Sequence, residues 1–155
     1  MAQTIFGNGV TVVGASYTGD NDSSAIYSNG NAISPGVVPG DTGVILSTGE
    51  ADRFTNVSST NPNQSASTTS TSSGPNNDPD FNAVAGRGTF DASFLEIDLI
   101  PDAGVNFLTI EFVFSSDEYP EFSNSIYIDL VGVWVDGTLV PLAAGSGVAS
   151  VTNIN

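Results

Sequence analysis

The sequence predicts an all-β protein with an antiparallel β-sandwich or jelly-roll-like fold. Three observations lead to this class. Apolar residues occur in short runs of mostly Val, Ile, Leu and Phe, and 17 glycines and 8 prolines punctuate the chain between them. The most hydrophobic runs alternate apolar and polar residues with a period of two, as half-buried strands do. No window has the periodicity of an amphipathic helix.

The first half of the chain predicts two strands. Residues 9–17 form the first strand, and a polar turn follows at 20–24. Residues 25–42 are rich in Gly, Pro and Asn and predict an ordered loop with room for one short strand. Residues 43–49 predict a second, compact apolar strand.

Residues 55–80 consist almost wholly of Ser, Thr, Asn, Pro and Asp. Such a segment has too little apolar surface to pack by itself. Because strong strand patterns lie on both sides of it, it predicts a long surface loop and not a linker. Residues 1–155 are therefore expected to form one β-sandwich domain.

The strongest strand patterns lie in the second half, at 93–100, 106–114 and 126–135. The Asp-Gly pair at 136–137 predicts a type I′ hairpin turn into the next short strand. A last short strand is expected at 147–154.

Charge excludes several classes of partner. The chain has 17 acidic residues and two basic ones, Arg53 and Arg87, and its net charge is −15. Nothing in it can neutralise nucleic-acid phosphates, and an anionic membrane surface would repel it. No run approaches the length of about 20 apolar residues that a membrane span needs. We therefore expect no nucleic-acid binding and no membrane insertion.

Composition also argues against an enzyme. The chain has no His and no Cys, so Ser–His and Cys–His nucleophile systems cannot form within it. The Asp-Thr-Gly sequence at 41–43 resembles an aspartic-protease loop, but a second copy is missing and a turn precedes it. Asp117 and Glu118 are adjacent loop residues, which rarely point at one glycosidic bond. No catalytic residue is assigned.

Carboxylates within strands point to calcium. Glu96, Asp98, Glu111 and Asp129 interrupt the most hydrophobic runs, and two arginines cannot pair with so many acids. Buried carboxylates are costly unless they are paired or bound to a metal. Ca²⁺ takes six to eight oxygen ligands. The alternative is that these acids face solvent, and alternation does place Glu96 and Asp98 on one face, opposite the Leu/Ile face.

The predicted calcium site joins the loops at 76–82 and 115–124 to the start of the 126–135 strand. Its predicted ligands are Asp78, Asp80, Asp117, Glu118, Glu121 and Asp129. A second site at Asp20–Asp22 is conceivable, but an ordinary Asx turn is favoured there. Tyr119, on the acidic loop, is the one aromatic residue considered for contact with glycans.

Several segments resemble the choice-of-anchor L domain of secreted bacterial proteins. The segments are 6–20, 34–51, 78–101, 112–122 and 127–137. The most specific pattern is F-x-S-x-E-Y-x-E, which begins here at Phe114, followed by Asp129 in the next strand. The family usually has Asn before that Asp, where this chain has Ile128.

The resemblance implies an extracellular β-sandwich in large calcium-rich, often RTX-type, secreted or surface-anchored proteins, with no attached catalytic activity. The expected function is a calcium-stabilised structural or adhesive module at the bacterial surface or in its matrix. The chain stops at residue 155 in mid-pattern, so its sheet is expected to be incomplete at that end. A filament or split-domain subunit completed by strand addition is therefore one alternative. A carbohydrate-binding module is another. Expected partners are other extracellular chains, copies of itself or surface glycans.

Overall fold

The computed structural model describes residues 1–54, 73–116, 118–120, 122–142 and 148–153, with the backbone alone at 53–54. Strand accounts for 27% of the chain and helix for 16%, so the all-β class is confirmed, while the sandwich arrangement stays a prediction. Most of the predicted Ser/Thr/Asn-rich loop (55–72) and the predicted ligands Asp117 and Glu121 lie outside the described residues.

The described strands are β1 (Val10–Thr18), β2 (Ser24–Tyr27), β3 (Gly43–Leu46), β4 (Phe94–Pro101), β5 (Leu130–Val131), β6 (Trp134–Val135), β7 (Thr138–Leu139) and β8 (Ala149–Ser150). The described helices are α1 (Ala2–Ile5), α2 (Gly30–Ile33) and α3 (Pro79–Ala85), with 3-10 turns at Asn21–Ser23 and Ala51–Phe54. No described helix has the length and apolar character needed to cross a membrane.

Contacts divide the chain into two compact units, each described here by itself. Unit 1 comprises Met1–Asn76 and Phe90–Val113, and unit 2 comprises Asn77–Thr89 and Phe114–Asn155. The prediction of one sandwich domain over 1–155 stays a prediction.

The longest ladder of unit 1 is the antiparallel pair of β1 and β4, which runs from Val10 opposite Pro101 to Thr18 opposite Phe94. A register shift between Val12 and Gly14 forms a bulge in β1. A Cβ atom at Gly14 would lie 2.7 Å from the Asp98 Oδ2 atom. Glycine at this position therefore leaves room for the Asp98 side chain.

Burial along β4 follows the predicted alternation. Leu95, Ile97 and Leu99 are half-buried, whereas Glu96 and Asp98 are exposed. The predictions of strands at 9–17 and 93–100 are thus confirmed, and the solvent-facing alternative holds for these two strand acids.

The second ladder of unit 1 pairs β2 with β3, from Ser24 opposite Leu46 to Tyr27 opposite Gly43. The Tyr27 ring lies directly on Gly43, where a Cβ atom would overlap it. The short strand allowed within 25–42 is therefore realised, and the compact strand at 43–49 is confirmed as β3.

The predicted strand at 106–114 is wrong. All of these residues are described, yet none is in a strand, and the side chains from 105 to 113 are exposed. Phe107 exposes 83% of its surface. A strand needs a neighbour about 4.8 Å away to accept and donate its ladder hydrogen bonds. Alternation marks a segment that can form a strand, but it supplies no neighbour.

The predicted strand at 126–135 is realised only as the short strands β5 and β6 of unit 2. The predicted turn is confirmed, because Asp136 and Gly137 have φ of 48° and 72°, as type I′ requires at both central residues. The turn joins β6 to β7. The predicted last strand shortens to β8, which pairs with β5.

Helix α3 of unit 2 was not predicted, because its start lay within the assumed loop. The Asp78 side chain caps its first turn, and Pro79 occupies the first helical position. Gly86 ends the helix in the left-handed conformation, with φ of 66°. These stop and start signals are readable in the sequence, but seven residues are too few to show helical periodicity.

Candidate functional site

The acidic loop of unit 2 meets the segment before β5 at one hydrogen bond. The Ser116 hydroxyl donates to the Asp129 Oδ2 atom at 2.6 Å, a distance typical of a hydroxyl bound to a charged carboxylate. The Glu118 backbone N–H donates to the same hydroxyl oxygen at 3.1 Å. Ser116 therefore holds the start of the loop against Asp129.

Asp129 is fixed through its main chain as well. Its carbonyl oxygen accepts a hydrogen bond from the Val151 N–H at 3.2 Å, next to the pairing of β5 with β8. The carboxylate is half-buried. Its position is thus set by contacts from two separate stretches of unit 2.

The loop itself is organised by local bonds. The Phe122 N–H donates to the Glu118 carbonyl at 2.8 Å, and the Ser125 N–H donates to the Phe122 carbonyl at 2.9 Å. The Phe122 and Tyr127 rings pack edge to face with centroids 5.6 Å apart. Tyr119, the residue considered for glycan contact, is exposed at the tip.

Asp78 and Asp80 lie on the N-terminal turn of α3. The Asp78 Oδ1 atom accepts from the N–H groups of Asp80 and Phe81 at 3.0 and 3.2 Å, so one oxygen of this predicted ligand caps the helix. Asp80 is exposed. The structure thus assigns Asp78 a structural role that the sequence prediction did not include.

The predicted ligands are brought together in part. Glu118 and Asp129 are joined through Ser116, and Asp78 and Asp80 share one helical turn. Among the residues that the structure describes, no three acidic side chains are grouped closely enough to hold a metal ion. Because Asp117 and Glu121 are outside that set, the six-ligand calcium site stays a prediction. The donor chemistry fits Ca²⁺, since these side chains offer only oxygen.

The favoured Asx turn at Asp20 is confirmed in unit 1. The Asp20 Oδ1 atom accepts from the Asp22 N–H at 2.9 Å, and Oδ2 accepts from the Ser73 N–H at 2.8 Å. These bonds, first from Asp22 and then from Ser73, lower the pKa of Asp20. Asp91 shows the opposite effect, because burial and the nearby Asp20 charge raise the pKa of its carboxyl group.

The Asp-Thr-Gly sequence at 41–43 has a local structural role. The Asp41 carbonyl accepts from the Gly30 N–H at 3.0 Å, and its Oδ1 atom accepts from the Asn31 N–H at 3.3 Å. Asp41 therefore binds the first turn of α2.

Unit 2 contains a recess that was not predicted from the sequence. It has a volume of about 610 Å³ and is lined by α3, by residues of β5 to β8 and by Thr152 and Asn153. Trp134 lines it together with Asp80. No sequence signal could have placed these two residues together without the unpredicted helix.

Comparison with known families then identifies the chain. A model of the choice-of-anchor L domain matches residues 1–155. No curated protein and no solved structure matched the chain. This match does not address the expected association with RTX-type proteins. Since the match spans the whole sequence, the chain belongs to the choice-of-anchor L domain family, whose members are modules of secreted or surface-anchored bacterial proteins.

Proposed function

We propose that the chain is a calcium-stabilised structural or adhesive module, with Ca²⁺ bound between the acidic loop at 115–124 and Asp129. The observation that carries the proposal is the Ser116–Asp129 hydrogen bond, which fixes the start of this loop against a half-buried carboxylate. Glu118 follows two residues later and is tied to the same hydroxyl.

Electrostatics supports a cation at this place. The sequence puts Asp117, Glu118 and Glu121 within five residues, in a chain of net charge −15. Like charges so close in sequence repel one another, and a divalent cation relieves that repulsion. Arg87, the base in unit 2, donates a hydrogen bond to the Ile126 carbonyl at 3.0 Å. A divalent metal ion is a further source of positive charge, and it is suited to oxygen donors.

An adhesive role is supported by the surface beside this loop. Tyr119, Phe122, Ile126 and Tyr127 are exposed, and Ile126 exposes 69% of its surface. Exposed apolar residues grouped in this way are typical of protein contact sites. Calcium bound to the loop would hold these side chains in one arrangement and so reduce the entropy lost on binding a partner.

A thermal melt tests the calcium proposal. Calcium at a hundredfold excess over its Kd should stabilise the EDTA-treated chain by about 2.7 kcal/mol. Asp129→Asn should abolish this gain, because it removes a carboxylate ligand while keeping the side chain's shape. Asp98→Asn, an equal charge change on the exposed face of β4, should retain it. An equal shift with Mg²⁺ or NaCl would contradict the proposal and identify general screening of a salt-adapted surface.

A second candidate function is assembly by strand addition, and the exposed segment at 105–113 favours it. Ile110 and Phe112 lie on one side of its alternating pattern, and both are exposed. A strand from another extracellular chain, or from a copy of this one, would supply the missing ladder partner. An apolar segment that has no pairing strand among the described residues is otherwise a liability for a secreted protein.

Size-exclusion chromatography across a range of protein concentrations tests this candidate. Assembly should appear as concentration-dependent oligomers at moderate salt, where charge repulsion is screened. Ile110→Lys should dissociate them, whereas Val13→Lys, at an exposed position on the bulge of β1, should not. A chain that stays monomeric at every concentration and salt would exclude self-assembly.

A further inference from the structure

The recess of unit 2 contains an aromatic ring held in a fixed position. Phe81 packs edge-on against Trp134, with ring centroids 5.3 Å apart and planes at 88°. A Cβ atom at Gly132 would overlap the six-membered ring of Trp134, so this ring rests on the Gly132 backbone. Val84, Leu130 and Leu139 contribute apolar walls.

One anionic group completes the lining. Asp80 is exposed at the start of α3, and no hydrogen bond within the described part of the chain involves its carboxylate. The polar groups of Ser150, Thr152 and Asn153 make hydrogen bonds within the protein. The Ser150 and Thr152 hydroxyls are 3.0 Å apart, and the Asn153 amide bonds the Ser150 N–H and the Val148 carbonyl.

This lining discriminates between ligand classes. A sugar needs several free donors and acceptors, and the Asn153 amide and one of the two hydroxyl protons already make hydrogen bonds within the protein, which leaves few groups for it. An anion would meet Asp80 and a chain of net charge −15. A cation with an apolar stem fits each feature, because the carboxylate attracts its charge and the indole and apolar side chains of the lining contact its stem.

We propose that this recess binds a lysine or arginine side chain of a partner protein. Charge identifies the partner as a basic protein different from this chain, which has only two basic residues. The cationic head would contact Asp80, and the methylene stem would lie along Trp134 and the apolar walls. The inference goes beyond the proposed function and does not depend on calcium. It gives Asp80 a role other than the predicted metal ligation.

Fluorescence of the full chain tests the proposal directly, because Trp134 is its only tryptophan. The probes are the capped peptides acetyl-Ala-Lys-Ala-amide and acetyl-Ala-Arg-Ala-amide, with acetyl-Ala-Gln-Ala-amide as the neutral control. The two cationic peptides should change the Trp134 emission in a saturable manner, and the neutral peptide should not. Asp80→Asn should weaken the binding at least tenfold. Asp98→Asn, with the same change in net charge, should alter it less than twofold.

Other results would overturn the proposal. Equal weakening in both variants would mean that the peptides respond to net charge alone. An unchanged emission at saturating peptide would place them elsewhere. A response to neutral oligosaccharides without one to the cationic peptides would identify a glycan site. A response to Ca²⁺ that Asp80→Asn abolishes, without a peptide response, would return Asp80 to metal binding. Circular-dichroism melts of both variants show whether each one folds.

Discussion

Two neighbouring segments of unit 1 have the same sequence pattern and different structures. Residues 94–101 alternate in polarity and form β4, which pairs along its length with β1. Residues 105–113 alternate just as regularly, yet they are exposed and unpaired within the described chain. The difference teaches that alternation specifies the two faces of a strand, while a partner decides whether the strand forms.

The hydrogen bonds that precede the two segments also differ. Before β4, the Ala92 N–H donates to the Pro75 carbonyl at 2.9 Å, and the Asp91 N–H donates to the Asn76 Oδ1 atom at 3.0 Å. Before the second segment, the Asp102 N–H donates to the Gly9 carbonyl at 2.9 Å, and the Val105 N–H donates to the Asp102 carbonyl at 3.0 Å within a local turn. The bonds at 91–92 lead directly into β4, whereas the bond to Gly9 lies at the end of the β1–β4 ladder, and the turn after it leads into a segment without a described ladder.

The largest expected contrast comes from a matched pair of truncations. Ile97→Ala should lower the free energy of unfolding by about 1–2 kcal/mol, because Ile97 is half-buried in the ladder opposite Ala15. Ile110→Ala should cost less than about 0.5 kcal/mol, because Ile110 is 42% exposed and outside any described ladder. Urea denaturation of both variants measures the contrast. Equal losses would break the comparison and show that 105–113 is paired in solution.

Sequence alone predicts the parts of this fold that depend on local chemistry. Alternation identifies β4, and the Asp-Gly pair identifies the β6–β7 turn, because each signal lies within a few residues. The missing strand at 106–114 and the shortening of 126–135 to β5 and β6 could not be predicted, since both depend on which distant segment lies alongside. Helix α3 is indicated in the sequence only by its capping residues, Asp78 and Gly86.

In the candidate site too, residue types could be predicted from the sequence, whereas the contacts between them could not. Asp129 is predicted as an acid within a hydrophobic run and Glu118 as part of the acidic loop beside it, and the structure links them through Ser116. The Ser116 hydroxyl that links them is uncharged and bonds a residue 13 positions away. The distribution of charges in the sequence therefore could not predict it. Asp78 shows the reverse case, because a carboxylate that looks like a metal ligand also satisfies the first turn of a helix.

A smaller effect distinguishes the starts of the two segments by pH. Asp91 precedes β4, and burial, together with the Asp20 charge, raises its pKa. The native state therefore binds this proton more tightly than the unfolded chain does. The resulting stabilisation is fully present below the ordinary pKa of about 3.9 and is lost as pH rises through the raised value. Asp20 has a lowered pKa, so its contribution is present above the ordinary value and is lost as pH falls through the lowered one.

Asp91→Asn should consequently stabilise the chain at pH 7 by a few tenths of a kcal/mol, since the site is partly exposed and screened. The gain should disappear at pH 3, where the native carboxyl group is already neutral. Asn suits the backbone here, because Asp91 has a φ of 55° and Asn tolerates the left-handed region. Asp102→Asn, in the exposed turn before 105–113, should change nothing at either pH. Urea midpoints at the two pH values measure the difference. An equal gain at both pH values would assign the effect to the backbone preference of Asn. The start of β4 would then differ from the start of 105–113 in conformation and hydrogen bonding, but not in the effect of its charge.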